Sequence, residues 1–291
     1  MQYFILHQKQ GESIKMNKLF YKPTDYARNK YFMIITLVFL FMLYLPIINL
    51  VIFSFNDSKR NILWKGFTTK YYKKAIGNEN LIEAFMNSIT IASISTIIST
   101  ILGVTTAICL WRFSFRLKKY YDMVLLFPIV IPEICMGVSM LIFFNFINWP
   151  SFQIWPLNLS SIVIAHISFS FPFIAIIIRS RLSILNNELL EAGMDLGASN
   201  YQIARFIILP FIKPAIIASF LLAFTLSLDD FVVTFFTSGP NSVTLPVKIY
   251  SMVRFGVTPE INAVSTLLIS IIIISTYFTI KYLTKEKREI I

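Results

Sequence analysis

Apolar residues in this chain gather into six long runs, at residues 31–55, 84–111, 123–149, 159–178, 214–238 and 261–280, with short polar segments between them. A helix needs about 20 such residues to cross a hydrocarbon core. Lipid offers an open backbone no hydrogen-bond partners, so runs of this length are expected to be helices and not strands. Four of the runs hold no Asp, Glu, Lys or Arg, the run at 123–149 holds only Glu133, and that at 214–238 holds only Asp229 and Asp230. The pattern predicts an all-α integral membrane protein with six transmembrane helices over residues 31–283. A segment of residues 1–30 precedes them and a tail of residues 284–291 follows.

Composition sharpens this, because 56% hydrophobic residues, 14% charged residues and 28 Phe among 291 are too apolar for a soluble domain. A net charge of +11 could point to nucleic acid. The basic residues instead lie in short stretches beside the apolar runs, and no basic module or RNA-binding motif accompanies them, so the partner expected is the bilayer. With the N-terminus inside, 18 Lys and Arg fall on the inner side and eight on the outer. That bias predicts both termini cytoplasmic in a multi-pass membrane protein. Lys59, Arg60, Lys65, Lys70, Lys73 and Lys74 run against it. The first run is longer than a signal-peptide core and lacks a small-residue cleavage site, so it reads as a retained span. Met16 is a second candidate for the start of the chain.

The most specific polar segment lies between the fourth and fifth runs. It reads Glu191-Ala192-Gly193-Met194-Asp195-Leu196-Gly197 and, after nine more residues, Ile207-Ile208-Leu209-Pro210. Asn186 or Asn187 suits the N-cap of a short helix, Gly197 a left-handed residue that ends it, and Ser199 to Gln202 a capping box for a second helix. Pro210 is expected to stop that second helix. Leu189, Leu190 and Met194 give the first helix apolar positions, and Glu188, Glu191 and Asp195 give it charge. An amphipathic helix of this kind can dock in a groove on a soluble partner. The alternative of a helix lying on headgroups is disfavoured by three acids. Gly193 and Gly197 have the spacing of a helix-dimer motif but lie outside any span.

This spacing resembles the EAA signature of ABC importer permeases, E-A-A-x-x-x-G, nine residues, then I-x-L-P. Gly193 stands where that family usually has Ala. Further stretches, Asp195-Leu196-Gly197-Ala198-Ser199, Ser227-Leu228-Asp229-Asp230-Phe231-Val232-Val233, Leu245-Pro246-Val247-Lys248-Ile249-Tyr250-Ser251-Met252-Val253 and Val257-Thr258-Pro259-Glu260-Ile261-Asn262-Ala263, are similar to the polyamine group of that family, the spermidine/putrescine permeases of the PotC type. The resemblance implies the type I importer permease fold and an importer of several subunits. These are a second, homologous permease, an ATPase dimer gripping the coupling loop at residues 182–210, and an extracytoplasmic polyamine-binding protein. The coupling residues it implies are Glu191, Ala192, Gly193, Asp195, Gly197, Ile207, Leu209 and Pro210.

What the sequence lacks supports the same division of labour. None of the nine glycines begins a G-x-x-x-x-G-K-[ST] loop, so ATP and Mg are expected on the partner ATPase and no cofactor in this chain. His7 and His166 are the only histidines, with no G-x-S-x-G or H-E-x-x-H pattern. No catalytic or metal site is therefore expected, and a six-span intramembrane enzyme such as a serine protease is disfavoured. His166 is expected to be a satisfied hydrogen-bonding residue, while Cys109 and Cys135 match no metal or redox spacing and read as packing residues. Acids inside a membrane are costly, about 2.5–3.5 kcal/mol each on insertion scales, and default to function. Glu133, Asp229 and Asp230 are therefore candidates for a cation pathway. Adjacent helical residues point about 100° apart, so one of the Asp pair can line the pathway while its neighbour caps or pairs elsewhere. Glu133 follows Pro132, where a kinked or unwound turn is expected. An ABC permease for another solute, such as iron, thiamine or phosphate, is the other reading, although phosphate would want basic groups that these spans lack.

Overall fold

The computed structural model describes residues 30–58, 63–147, 159–239, 242–254, 256 and 259–289. Most of the segment 1–30, the tail beyond residue 289, and the positions Lys59 and Arg60 lie outside them. Every regular element among the described residues is helical, apart from one isolated bridge between Asn56 and Phe67. The chain divides into two units, the first ending at Ile52. That unit contains nearly all of α1 (Lys30–Phe53), apolar on every face and carrying Pro46 in its interior.

In the second unit, α2 (Lys70–Ile76) leads into α3 (Glu79–Arg112), a helix of 34 residues. The buried face of α3 is a ladder of small side chains, Ala84, Ser88, Ala92, Ser95, Ser99, Gly103 and Ala107, recurring every three or four positions. Lipid gives apolar surfaces no reason to avoid it, so helices in membranes pair by close approach, which small residues permit. The partner is α6 (Leu159–Leu182), which buries Ile162, Ala165, His166, Ile174, Ile178 and Leu182. At the crossing a Cβ on Gly103 would stand 2.7 Å from Cβ of Ile174. The helix α9 (Leu209–Asp229) packs on both and completes the core.

Two of the expected spans are interrupted. The third is α4 (Lys118–Val130) and α5 (Glu133–Phe146), bent by 109° at their junction. Pro132 removes a backbone donor and forces Ile131 into an extended conformation, φ −73° and ψ 132°, which no helix continues through. The fifth ends at Asp229, where Asp230 turns extended at ψ 123° before the short helix α10 (Val232–Thr237). Four stretches are individually long and apolar enough to span, namely α1, α3, α6 and the run Asn200–Asp229, and the bent pair makes a fifth if taken as one span. The last helix, α12 (Pro259–Glu289), has 31 residues and contains the sixth apolar run, 261–280.

Candidate functional site

Between α6 and α9 the chain forms an elbow. Its first arm is α7 (Asn187–Asp195), capped by Asn186, whose Oδ1 accepts the Glu188 amide at 3.0 Å. Gly197 ends it at φ 79°, a left-handed conformation that side chains resist. The second arm, α8 (Asn200–Ile203), starts with a full capping box: Gln202 N donates to Ser199 Oγ at 3.3 Å and Ser199 N donates to Gln202 Oε1 at 2.7 Å. Pro210 does not stop this arm. The turn Ala204–Ile208 widens to π-helical geometry, with the Leu209 amide donating to the Ala204 carbonyl, and α9 begins at Leu209 with Pro210 in its first turn. A proline in a first turn lacks only a donor that has no helical partner there. Pro210 therefore needs a register shift and not a break.

The elbow is held on one side and open on the other. Leu185, Leu190, Ile203, Ile208 and Ile212 share one buried cluster with Ala107 of α3 and Ile174, Ile178 and Leu182 of α6. Gly193 lets the arms close: a Cβ there would meet Ile207 Cδ1 at 3.1 Å. Ile207 is thus packed beneath Gly193 and against the core cluster, while Leu209 is exposed. The open side carries Glu191, Ala192, Asp195 and Gly197 beside Leu189, Met194, Tyr201 and Phe206, with Leu196 89% exposed. Near the end of α6, Arg179 donates through both terminal nitrogens to the Asp122 carboxylate of α4, the second bond at 3.3 Å. This planar fork ties the bent pair to α6.

The three acids separate by environment at the two helix breaks. Asp229, at the end of α9, is exposed, as is Glu133 at the start of α5. The Glu133 carboxylate lies within electrostatic reach of Asp229. Packing of α5 on α10 brings the breaks together, and a Cβ on Gly137 would stand 2.7 Å from the Phe236 ring. Asp230 points the other way and is 7% exposed. Its Oδ2 accepts the amide and the hydroxyl of Thr234, each at 2.7 Å, which caps α10. The imidazole of His166, 1% exposed, comes from α6 with Nε2 at 3.3 Å from Asp230 Oδ2 and 2.9 Å from Thr234 Oγ1. The Thr234 hydroxyl hydrogen is committed to Asp230, so Nε2 carries the proton and donates to Thr234 Oγ1, with the Asp230 carboxylate at ion-pair distance beside it. On the other side of the ring, Nδ1 lies 2.6 Å from Ser227 Oγ, which lies 3.1 Å from Ser95 Oγ on α3.

Sequence reasoning did not find the membership of this buried knot. Its bonded pairs are up to 132 residues apart, and only one local signal was available: a histidine in an apolar span needs partners. The helix α11 (Leu245–Arg254) lies near it, with the Tyr250 ring tilted against Phe231 at 4.6 Å between centroids and the Leu245 amide bonded to Ser88 of α3 at 2.9 Å. Among the described residues no group of His, Cys, Asp and Glu is arranged to hold a metal ion.

This all-helical chain, with its broken spans and capped elbow, matches a class of membrane transport component. Residues 99–289 match the family of binding-protein-dependent transport system inner membrane components, and the chain belongs to it. It is 42% identical over 227 residues to the spermidine/putrescine transport system permease protein PotC of Escherichia coli (strain K12), covering 78% of this chain and 84% of the relative. It is 39% identical over 248 residues to the putrescine transport system permease protein PotI of the same organism, covering 84% and 87%. In fold it is similar to a bacterial ABC transporter that imports the acidic polysaccharide alginate, with a TM-score of 0.69 at 17% identity over 97% of this chain and 99% of that one.

Proposed function

We propose that this chain is the permease subunit through which an ATP-driven ABC importer passes polyamines, spermidine or putrescine, into the cell. The observation that supports the cation pathway is the pair of exposed carboxylates, Asp229 and Glu133, at the breaks of two adjacent spans. A polyamine carries several ammonium groups and gives up hydration as it leaves water. Carboxylates along its path replace that hydration with ion pairs, and carbonyls freed at the breaks add acceptors. Of the acids expected there, Asp229 and Glu133 take the pathway role and Asp230 the supporting one. The substrate class follows from the likeness to polyamine permeases.

In this reading both termini and the elbow face the cytoplasm. The open face of the elbow, with Glu191 at its centre, seats in a groove of an ATPase dimer that binds ATP and Mg, and Ala192, Gly193, Asp195, Gly197, Ile207, Leu209 and Pro210 shape it. A second homologous permease completes the pathway, and an extracytoplasmic binding protein delivers the polyamine. Uptake of labelled spermidine and putrescine, measured after deletion of this chain in its own cell, tests the substrate. Loss of both, restored by the parent chain, is expected, and unchanged uptake overturns the proposal. Glu191→Lys tests the coupling, since it puts a cation where the groove expects an anion. Uptake should fall more than about tenfold in an assembled complex, an effect of 1.4 kcal/mol or more. Normal uptake and normal substrate-stimulated ATPase activity would remove Glu191 from the contact.

A further inference from the structure

The helix break at residues 229–231 is bridged from outside by a single imidazole. Nδ1 of His166 holds Ser227 in the last turn of α9, and Nε2 holds Thr234 of α10 together with Asp230 in the junction. The remaining bonds of Asp230 run to Thr234 and Val233, within the short helix it caps. Among the described residues, the side chain from another span that reaches Asp230 is that of His166. Ser227 continues the connection to Ser95 on α3, so the junction is fixed relative to the α3–α6 core. With the backbone set at residues 227 and 230, the direction in which Asp229 leaves the chain is set as well.

We infer that His166 is a positioning residue of the transport pathway: by bridging α9 and α10 it holds Asp230 inward and thereby aims Asp229 at the passing cation. The inference rests on the pathway reading of Asp229 given above. An imidazole suits the task because its two ring nitrogens lie on opposite edges of one rigid plane, so both helices are held by a group with few rotamers. Removing it leaves buried acceptors without their donor, and the junction is then free to turn.

The test uses the assembled importer, with its partner permease, ATPase and binding protein, in proteoliposomes. Half-saturation and maximal rate of spermidine uptake are measured for the parent, His166→Leu, His166→Gln, Asp229→Asn and the double variant His166→Leu/Asp229→Asn. His166→Leu is expected to raise half-saturation about tenfold with a smaller change in maximal rate, and His166→Gln, which keeps an amide donor, to recover most of that loss. The double variant should be no worse than Asp229→Asn, because residues acting through one another are not additive. A purely structural role would lower the maximal rate and leave half-saturation alone. If His166→Leu does not assemble, Ser227→Ala, which removes one of the two held ends, takes its place with the same outcomes. Should Asp229→Asn transport like the parent, the pathway reading fails and takes the inference with it. Should Asp229→Asn be impaired while His166→Leu is silent or fully additive with it, only the inference fails.

Discussion

The elbow, between two spans, and the helix break, within one, both rest on polar residues, yet they are built by opposite means. At the elbow the side-chain caps are local, Asn186 to Glu188 and Ser199 to Gln202 with Gly197 at the turn, and one longer bond, Arg181 Nε to the Phe211 carbonyl at 3.3 Å, closes its base. At the break the bonds reach across the molecule, from Ser95 to Ser227 and from His166 to Ser227, Thr234 and Asp230. A segment in water can be capped by its neighbours because water covers what they miss. In the interior of a membrane bundle each donor must find a protein partner, and the nearest in space is often distant in sequence. The exposed device therefore depends on spacing and the buried one on packing.

This difference can be broken by substitution, and the effects should descend in size. Asp230→Ala leaves the Thr234 amide and hydroxyl and the His166 ring without their shared acceptor, and should cost about 3 kcal/mol of complex stability. Thermal unfolding of the detergent-solubilised complex measures it, and a loss under about 1 kcal/mol would show that Asp230 is not holding the junction. Gly197→Val places a β-branched side chain at φ 79°, where strain is about 2 kcal/mol. It should reduce uptake by distorting the elbow while the spans still assemble, and unimpaired coupling would mean that the turn tolerates a different backbone.

Ser199→Ala removes one half of the capping box and should cost about 1 kcal/mol. Its signature is faster amide hydrogen exchange confined to residues 200–203, with the break at 229–231 unchanged. Exchange that accelerates at both places would show that the two devices are not independent. Smallest is the pair between Lys74 of α2 and Glu260 of α12, 2.5 Å apart, with Lys74 62% exposed and Glu260 8%. Its hydrogen bond and attraction to Glu260 raise the Lys74 pKa above its ordinary 10.5. A raised lysine value stabilises fully below 10.5 and loses its contribution as pH climbs through the raised value. Lys74→Met should therefore cost at most about 0.5 kcal/mol at pH 8, and the gap to the parent should close at strongly alkaline pH. A gap that widens with pH would contradict the pairing.

The same contrast explains what the sequence made legible. The caps at Asn186, Gly197 and Ser199 rest on chemistry within a few residues, and a reader of the chain meets cause and effect together. Pro132 announced the bend between α4 and α5, since a proline and its predecessor restrict their own backbone. Pro210 misled because the helix absorbs it by widening one turn, which leaves the missing donor in the first turn of α9. Asp229 and Asp230 could be separated in principle by their 100° offset. Which one faces inward depends on His166, which lies in another span and has no sequence relation to them. The bidentate Arg179–Asp122 fork stayed hidden for the same reason: each charge looked like an ordinary flank of a span.

The helix α6 carries His166 in its length and runs directly into the elbow, with 16 residues from His166 to Leu182. At 1.5 Å per residue these positions stand roughly 24 Å apart on one shaft. One residue inserted between them would swing the imidazole by about 100° relative to the elbow, away from Ser227 and Thr234, and a deletion would do the same in the other sense. Point substitutions on the outer faces of this helix can drift, but its length between His166 and Leu182 is fixed. Descendants of this chain can change what α6 touches without being free to change how far it reaches.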